Sequence, residues 1–334
     1  MPEFRQNRAT KEWVILAAER GKRPSDFQHE QPDKEAQPDY KDNCPFCAGN
    51  ESQTTEPVYI HPETGDWQVR VVPNKFAALQ PNLGTTRTWV GSFLAAKGFG
   101  IAEVIIEHPK HNTTLATMEL EEVANVLRAY RRRQAEINKN DKINLVTIFR
   151  NHGVRAGTSL EHPHSQIIAT PIVPPHVRYP IEQAVLHYDK YGSCVHCDMI
   201  EEEIRQQERV VIETDGFVVF CPFAARSPFE VRLYPKKHNA SFVDIDEGED
   251  TVEMAWALRE VLAKIHVGLK DPDYNFIIRS SPIGDENTRY LHWYMVIIPK
   301  ISIPAGFEIG SGIYINTVPP EEAARYLRDV KVDR

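Results

Sequence analysis

The chain has 334 residues, 41 % of them hydrophobic and 26 % charged, with 39 Lys and Arg against 47 Asp and Glu. The length suits two ordinary domains, and the net charge of −8 argues against general nucleic-acid binding, which needs a basic footprint. No apolar run approaches bilayer-spanning length and Met1-Pro2-Glu3-Phe4-Arg5 lacks the apolar core of a signal peptide, so neither a membrane nor a nucleic acid is expected as partner and the default location is cytoplasmic.

The segment Gln28 to Asn43 is polar and contains proline, and reads as a loop. Cys44 and Cys47 follow as a Cys-x-x-Cys pair, then Pro109-Lys110-His111-Asn112. Val123, Val126, Leu127, Tyr130 and Ile137 recur at helical spacing, and a β-like run follows over Asn144-Leu145-Val146-Thr147-Ile148-Phe149. His162-Pro163-His164-Ser165-Gln166 leads into the apolar, β-prone Ile167-Ile168-Ala169 and is expected to enter a strand. Alternate strand residues share a face, which predicts His162, His164 and Gln166 on one side of the sheet. Two nitrogen bases and a neutral amide there suit metal binding or phosphoryl chemistry. An imidazole nitrogen can attack phosphorus, and an amide can bond a phosphoryl oxygen without adding negative charge.

The second half repeats this plan. Cys194 and Cys197 form another Cys-x-x-Cys pair, and Pro235-Lys236-Lys237-His238-Asn239 follows. Val252, Ala255, Leu258, Leu262 and Ile265 mark a second amphipathic helix, Asn275-Phe276-Ile277-Ile278 a strand, and Tyr290-Leu291-His292-Trp293-Tyr294 a second strand histidine. The order implies two related α+β domains of mostly antiparallel sheet with packed helices, 1–175 and 190–334. Pro171, Pro174, Pro175 and Pro180 are expected to break regular structure between them. Cys44, Cys47, His111 and His162 make one Cys2His2 set, and Cys194, Cys197, His238 and His292 a second. Soft thiolates with imidazoles suit tetrahedral Zn²⁺, and four protein ligands leave no open position, so two structural zinc sites are expected. Neither Cys-x-x-Cys pair is expected to open a helix after a strand, which disfavours a thioredoxin-like redox motif. Cys221 stands alone and reads as a packed core residue. With His162 a ligand, His164 is left for chemistry.

Nearly the whole chain resembles the galactose-1-phosphate uridylyltransferase family of the histidine-triad superfamily. The resemblance is carried by Trp13-Val14-Ile15, Arg20-Gly21-Lys22-Arg23-Pro24, Cys44-Pro45-Phe46-Cys47-Ala48-Gly49-Asn50, Val72-Pro73-Asn74-Lys75-Phe76, Phe149-Arg150-Asn151, Ala156-Gly157-Thr158-Ser159 and the HPHSQ stretch, with Pro228-Phe229-Glu230 and Leu233-Tyr234-Pro235-Lys236-Lys237-His238 in the second half. It implies a ping-pong transfer of a nucleoside monophosphate from a nucleotide sugar, with sugar 1-phosphate and phosphate as the other partners. His164 would attack the α-phosphorus and Gln166 would bond the non-bridging oxygens. It further implies that Asn151 and Ser159 hold phosphate oxygens, with Gly157 among the substrate-binding positions. Asn74 and Phe76 would form the base and ribose pocket. Arg20 and Arg23 would face phosphate across the interface of a homodimer.

Three departures matter. Thr158 stands where the family usually has cysteine, and Tyr294 where the second metal motif usually has histidine. In Gly306-Phe307-Glu308-Ile309-Gly310-Ser311-Gly312 the usual Tyr-Glu pair is replaced by Ser311-Gly312. A site built around bonds to sugar hydroxyls discriminates strongly for them, so the loss weakens the case for a hexose 1-phosphate acceptor. Together with the second Cys-x-x-Cys, these departures resemble the ADP-glucose phosphorylase branch of the family, which implies ADP-glucose and phosphate giving ADP and glucose 1-phosphate. The competing readings are UDP-glucose–hexose-1-phosphate uridylyltransfer and a zinc-stabilised, non-catalytic binding protein.

Overall fold

The computed structural model describes residues 1–20 and 36–332. Its centre is one ten-stranded sheet, antiparallel throughout. The first half supplies β3 (Tyr59–His61), β4 (Val69–Pro73), β7 (Ile101–Ile106), β8 (Leu145–His152) and β9 (His164–Thr170). The second supplies β10 (Val210–Glu213), β11 (Phe217–Phe220), β12 (Val231–Pro235), β13 (Tyr274–Arg279) and β14 (Tyr294–Pro299). Their order is β10-β11-β12-β14-β13-β8-β9-β7-β4-β3, so the two halves mirror each other about the β8–β13 pair. At that join Asn275 pairs with Asn151 and Ile278 with Ile148.

One face is covered by α1 (Leu120–Ile137) and α4 (Glu249–Gly268). The expected apolar stripe of α1 is buried at Val123, Val126, Leu127, Tyr130 and Ile137. The stripe of α4 is buried at Ala255, Leu258, Leu262 and Ile265, while Val252 is half-buried. The two helices pack on each other. Ile148, Ile167, Phe276 and Ile297 from the sheet join both helices in a single hydrophobic core that crosses the join. Removal of this apolar surface from water is the main stabilising term. Cys221 belongs to this core, as expected.

The opposite face carries the two Cys2His2 sets, α2 (Pro175–Tyr191) and α3 (Val195–Gln206). The segment expected to be irregular is therefore helical. Pro175 occupies the first helical position, where its fixed φ is favourable and its missing N–H has no partner to lose. Pro180 lies inside the helix and removes one backbone donor, which the remaining turns tolerate. Cys194 caps the start of α3 and Cys197 lies in its first turn, so this pair does open a helix, although α2 rather than a strand precedes it.

A smaller sheet joins β1 (Glu3–Gln6), β2 (Trp13–Leu16) and β15 (Tyr314–Asn316), with β15 parallel to β2. It ties the two ends of the chain together, and α5 (Gly306–Ser311) and α6 (Pro320–Asp329) flank β15. A separate hairpin of β5 (Arg87–Val90) and β6 (Phe93–Ala96) projects into solvent.

Candidate active site

On β9, Ser165, Ile167 and Ala169 are buried, Ile167 and Ala169 in the helix-side core. The pleat therefore turns His164 and Gln166 to the other face. Their strand neighbours on β7 are Ile106 and Val104, which pack with Cys44, Phe46 and Cys47. His162 lies in a bend just before β9 rather than on the strand. It still shares a side with His164, because the Phe46 ring meets both imidazoles edge-on, at 5.9 Å and 5.5 Å between centroids.

The first Cys2His2 set is assembled from three separate places in the chain and is buried throughout. Cys47 Sγ lies 3.6 Å from Nδ1 of His111 and 3.6 Å from Nδ1 of His162. Zinc–sulfur and zinc–nitrogen bonds at a tetrahedral angle place sulfur and nitrogen about 3.6 Å apart, so the donors fit an ion of that size. His162 Nε2 donates to the His108 carbonyl at 2.8 Å, which fixes the tautomer and leaves Nδ1 as the ligand atom. Burial holds the His162 imidazole down to about 3, so it is neutral at pH 7 and its lone pair is available.

The second set repeats the geometry. Cys197 Sγ lies 3.3 Å from Nδ1 of His238 and 3.5 Å from Nδ1 of His292. His238 Nε2 faces the Thr288 carbonyl at 3.2 Å and His292 Nε2 the Pro235 carbonyl at 3.0 Å. A hydrogen bond from Cys197 draws the Cys194 thiol far below its ordinary value, and the same bond pushes Cys197 up. The pull is towards a thiolate at Cys194, the form that binds metal.

His164 Nδ1 donates to the His162 carbonyl at 2.8 Å. That bond leaves Nε2 with its lone pair, and burial keeps the ring below its ordinary pKa and hence neutral. Beneath the strand lies a polar network that sequence reasoning missed. Ser165 donates to Glu107, and the Tyr130 hydroxyl donates to the same carboxylate at 3.1 Å. Arg150 Nε contacts both Glu107 oxygens at 3.1 and 2.9 Å, and its Nη1 reaches the Tyr274 hydroxyl at 2.9 Å. Arg150 and Glu107 are buried, so removing either partner strands a charge.

Asn151 extends β8 beyond Arg150, which pairs with Ser165, so it stands beside His164. Its Oδ1 accepts from Asn275 Nδ2 at 2.8 Å, and the same Nδ2 donates to the Ala156 carbonyl at 2.9 Å. Asp273 accepts from the Arg155 N–H at 2.7 Å. Gly153 has φ +84°, and a Cβ there would lie 1.9 Å from Asp273 Oδ1. Two residues of the second half thus pin the loop that holds Gly157, which is in the left-handed conformation, and leads to the exposed Ser159. Asp273 and Asn275 escaped sequence reasoning because their partners lie in the other half.

Asn74 follows β4, and its side chain accepts the Phe76 N–H at 2.9 Å. This turn leaves the Phe76 ring 88 % exposed. Asn74 N bonds to the Ala102 carbonyl, and Ala102 pairs with Ile168. Asn74 is thus level with a residue four places along β9 from His164, about 13 Å at 3.3 Å per residue. Arg20 is exposed and acts electrostatically on Glu308, joining none of the described contacts around His164. Arg23 lies outside the described residues.

Residues 1–174 match the family model for the galactose-1-phosphate uridyl transferase N-terminal domain. Residues 108–332 match a family described as a domain of unknown function, DUF4921. This chain belongs to the galactose-1-phosphate uridylyltransferase family. It is 36 % identical to the ADP-glucose phosphorylase of Arabidopsis thaliana over 99 % of this chain and 93 % of that protein. It is 30 % identical to the galactose-1-phosphate uridylyltransferase of Thermotoga maritima over the whole of both. The crystal structure of an Arabidopsis thaliana ADP-glucose phosphorylase with bound ADP-glucose superposes with a TM-score of 0.86 at 34 % identity, covering all of both chains. The protein is thus an enzyme of this family, a nucleotidyltransferase, as the resemblance implied.

Replacing Asn275 with Ala removes its bonds to Asn151 and to the Ala156 carbonyl and leaves the Asp273–Arg155 bond to hold the loop. Turnover is expected to fall and stability to drop by about 1–3 kcal/mol, with the metal content of both Cys2His2 sets unchanged. Denaturant melts and metal analysis on the same preparation check this.

Proposed function

We propose that the protein transfers AMP from ADP-glucose to inorganic phosphate by way of a nucleotidyl-His164 intermediate. The observation that carries this reading is the 2.8 Å bond from His164 Nδ1 to the His162 carbonyl, which leaves Nε2 as the nucleophile. Nε2 attacks the α-phosphorus and a P–N bond forms. The bond to the bridging oxygen breaks, and glucose 1-phosphate leaves with the electron pair. An oxygen of inorganic phosphate then attacks the same phosphorus, breaking the P–N bond and giving ADP. Neither leaving group needs a proton, so a neutral amide at Gln166 suffices where an acid would otherwise serve. Gln166 donates to a non-bridging oxygen as charge develops there. Asn151, Gly157 and Ser159 serve the phosphates, and Asn74 and Phe76 the nucleoside. The 13 Å spacing along the sheet, set by about four residues at 3.3 Å each, suits such a ligand.

Phosphate is preferred over a hexose 1-phosphate as acceptor because of α5. Glu308, the one carboxylate of residues 306–316, accepts the Ala305 N–H at 3.0 Å and closes the start of its own helix. It is therefore committed locally and does not replace the missing sugar-binding carboxylate. Incubation with ADP-glucose and no acceptor should raise the intact mass by one AMP, measured without acid because the P–N bond is acid-labile. His164→Ala should show no adduct and no turnover. A UMP adduct from UDP-glucose alone would favour uridylyltransfer instead.

We assign Zn²⁺ to both Cys2His2 sets. Bound there, it supplies a closed tetrahedral anchor, and the four donors of each set leave no position for substrate. Cys44→Ser should lose about one equivalent of zinc and most of the stability, whereas His164→Ala keeps two. Elemental analysis with thermal melts decides, and zinc-free wild-type protein would end the assignment.

A homodimer fits the β5–β6 hairpin, which exposes apolar side chains on both faces: Trp89 (70 %) with its partner Leu94 (54 %), and Phe93 (77 %) with Val90 (63 %). A projecting apolar element of this kind marks an association surface. Sedimentation should give twice the chain mass, and Trp89→Asp with Phe93→Asp should shift it to the monomer.

A further inference from the structure

The mirrored sheet places a second site opposite the first. His162 and His292 hold equivalent positions in their metal sets, two residues before His164 and Tyr294. Tyr294 thus occupies on β14 the place of the nucleophile on β9. Arg279 pairs with Tyr294, as Asn151 stands beside His164. Val296 takes the place of Gln166, and its neighbour on β12 is Arg232, where the first half has Val104. The imidazole and the amide are gone from these positions, while guanidinium groups have entered at two others.

These residues line a cavity of about 210 Å³ beneath α2, whose Pro180, Ile181 and Ala184 close it over. Its charges do not balance. Arg232 bonds Glu230 through Nε and Nη2 at 3.2 and 3.1 Å, and its buried Nη1 has no partner. Glu12 is taken by Arg226. Arg279 has no ion-pair partner among the described residues. His176 also lines the cavity, and burial, then Arg279 and Arg226, hold it below its ordinary pKa. At ~30 Å³ per water the volume equals about seven waters. That admits a phosphate or a small monoester, and is short of the ~300 Å³ and more that larger ligands need.

We propose that the C-terminal half binds, without covalent chemistry, the phosphoryl group of inorganic phosphate or of a small phosphate monoester between Arg279, Arg232 and Tyr294. Guanidinium groups supply paired donors of the right geometry, and the Tyr294 hydroxyl adds a neutral one. The ion offsets the uncompensated cation under α2.

The test is equilibrium dialysis of the zinc-loaded full chain against labelled inorganic phosphate. Wild type should bind one phosphate per chain that Arg279→Ala and Arg279→Gln bind at least tenfold more weakly, with zinc content unchanged. That phosphate should persist in Ser159→Ala, which alters the His164 side, so failure of the proposed reaction leaves this result standing. Competition by glucose 1-phosphate at the Arg279-dependent site would identify a monoester site, and its absence a site for inorganic phosphate. Equal binding by wild type and both Arg279 variants, or loss of the Arg279-dependent phosphate in Ser159→Ala, overturns the proposal.

Discussion

The side chain of His162 points Nδ1 at a sulfur of the first Cys2His2 set, and its backbone carbonyl receives the Nδ1–H of His164. One residue therefore couples the geometry of the Cys2His2 set to the tautomer of His164, the proposed nucleophile. Phe46, held between Cys44 and Cys47, closes the coupling by packing against both rings. A structural ion in such a place does not touch the reacting phosphorus. In the proposed reaction its contribution would be to hold the imidazole where the attack angle is already set, which removes an ordering cost from the reaction itself.

The polar layer beneath β9 serves the same end from the other side of the sheet. Glu107 directly follows β7, and Arg150, Ser165, Tyr130 and Tyr274 come from β8, β9, α1 and β13. A buried ion pair of this kind contributes little net stability, and breaking it costs about 3–5 kcal/mol. Its effect is on register: sliding β9 by one residue would turn Ser165 away from Glu107 and bury Gln166 among apolar side chains. Asp273 and Asn275 add a second constraint across the halves, which makes the 153–157 loop a shared product of both.

The helices were legible because their apolar residues recur at 3.6-residue spacing and their stripes are buried where expected. The two Cys2His2 clusters were legible because thiols and imidazoles are scarce and the pattern occurs twice. His164 and Gln166 followed from strand alternation, although His162 reached the shared side through a bend. The join of β8 to β13 was not legible, since strand pairing between distant segments depends on the assembled sheet. Nor were Glu107 and Arg150, which look like ordinary charged residues until three strands lie side by side. The helix α2 was lost to its prolines, although Pro175 at the first turn favours the helix that their number argues against.

Joining the two five-stranded halves through β8 and β13 also changes what the sheet presents at its margins. Two separate sheets would have four open borders, and the fused one has two. Those are β3, Tyr59–His61, and β10, Val210–Glu213, of three and four residues. Unpaired N–H and C=O groups along a long flat border recruit other chains into aggregates. Here fusion has hidden the long central strands and left only short margins, so the duplicated architecture carries its own protection against uncontrolled strand addition.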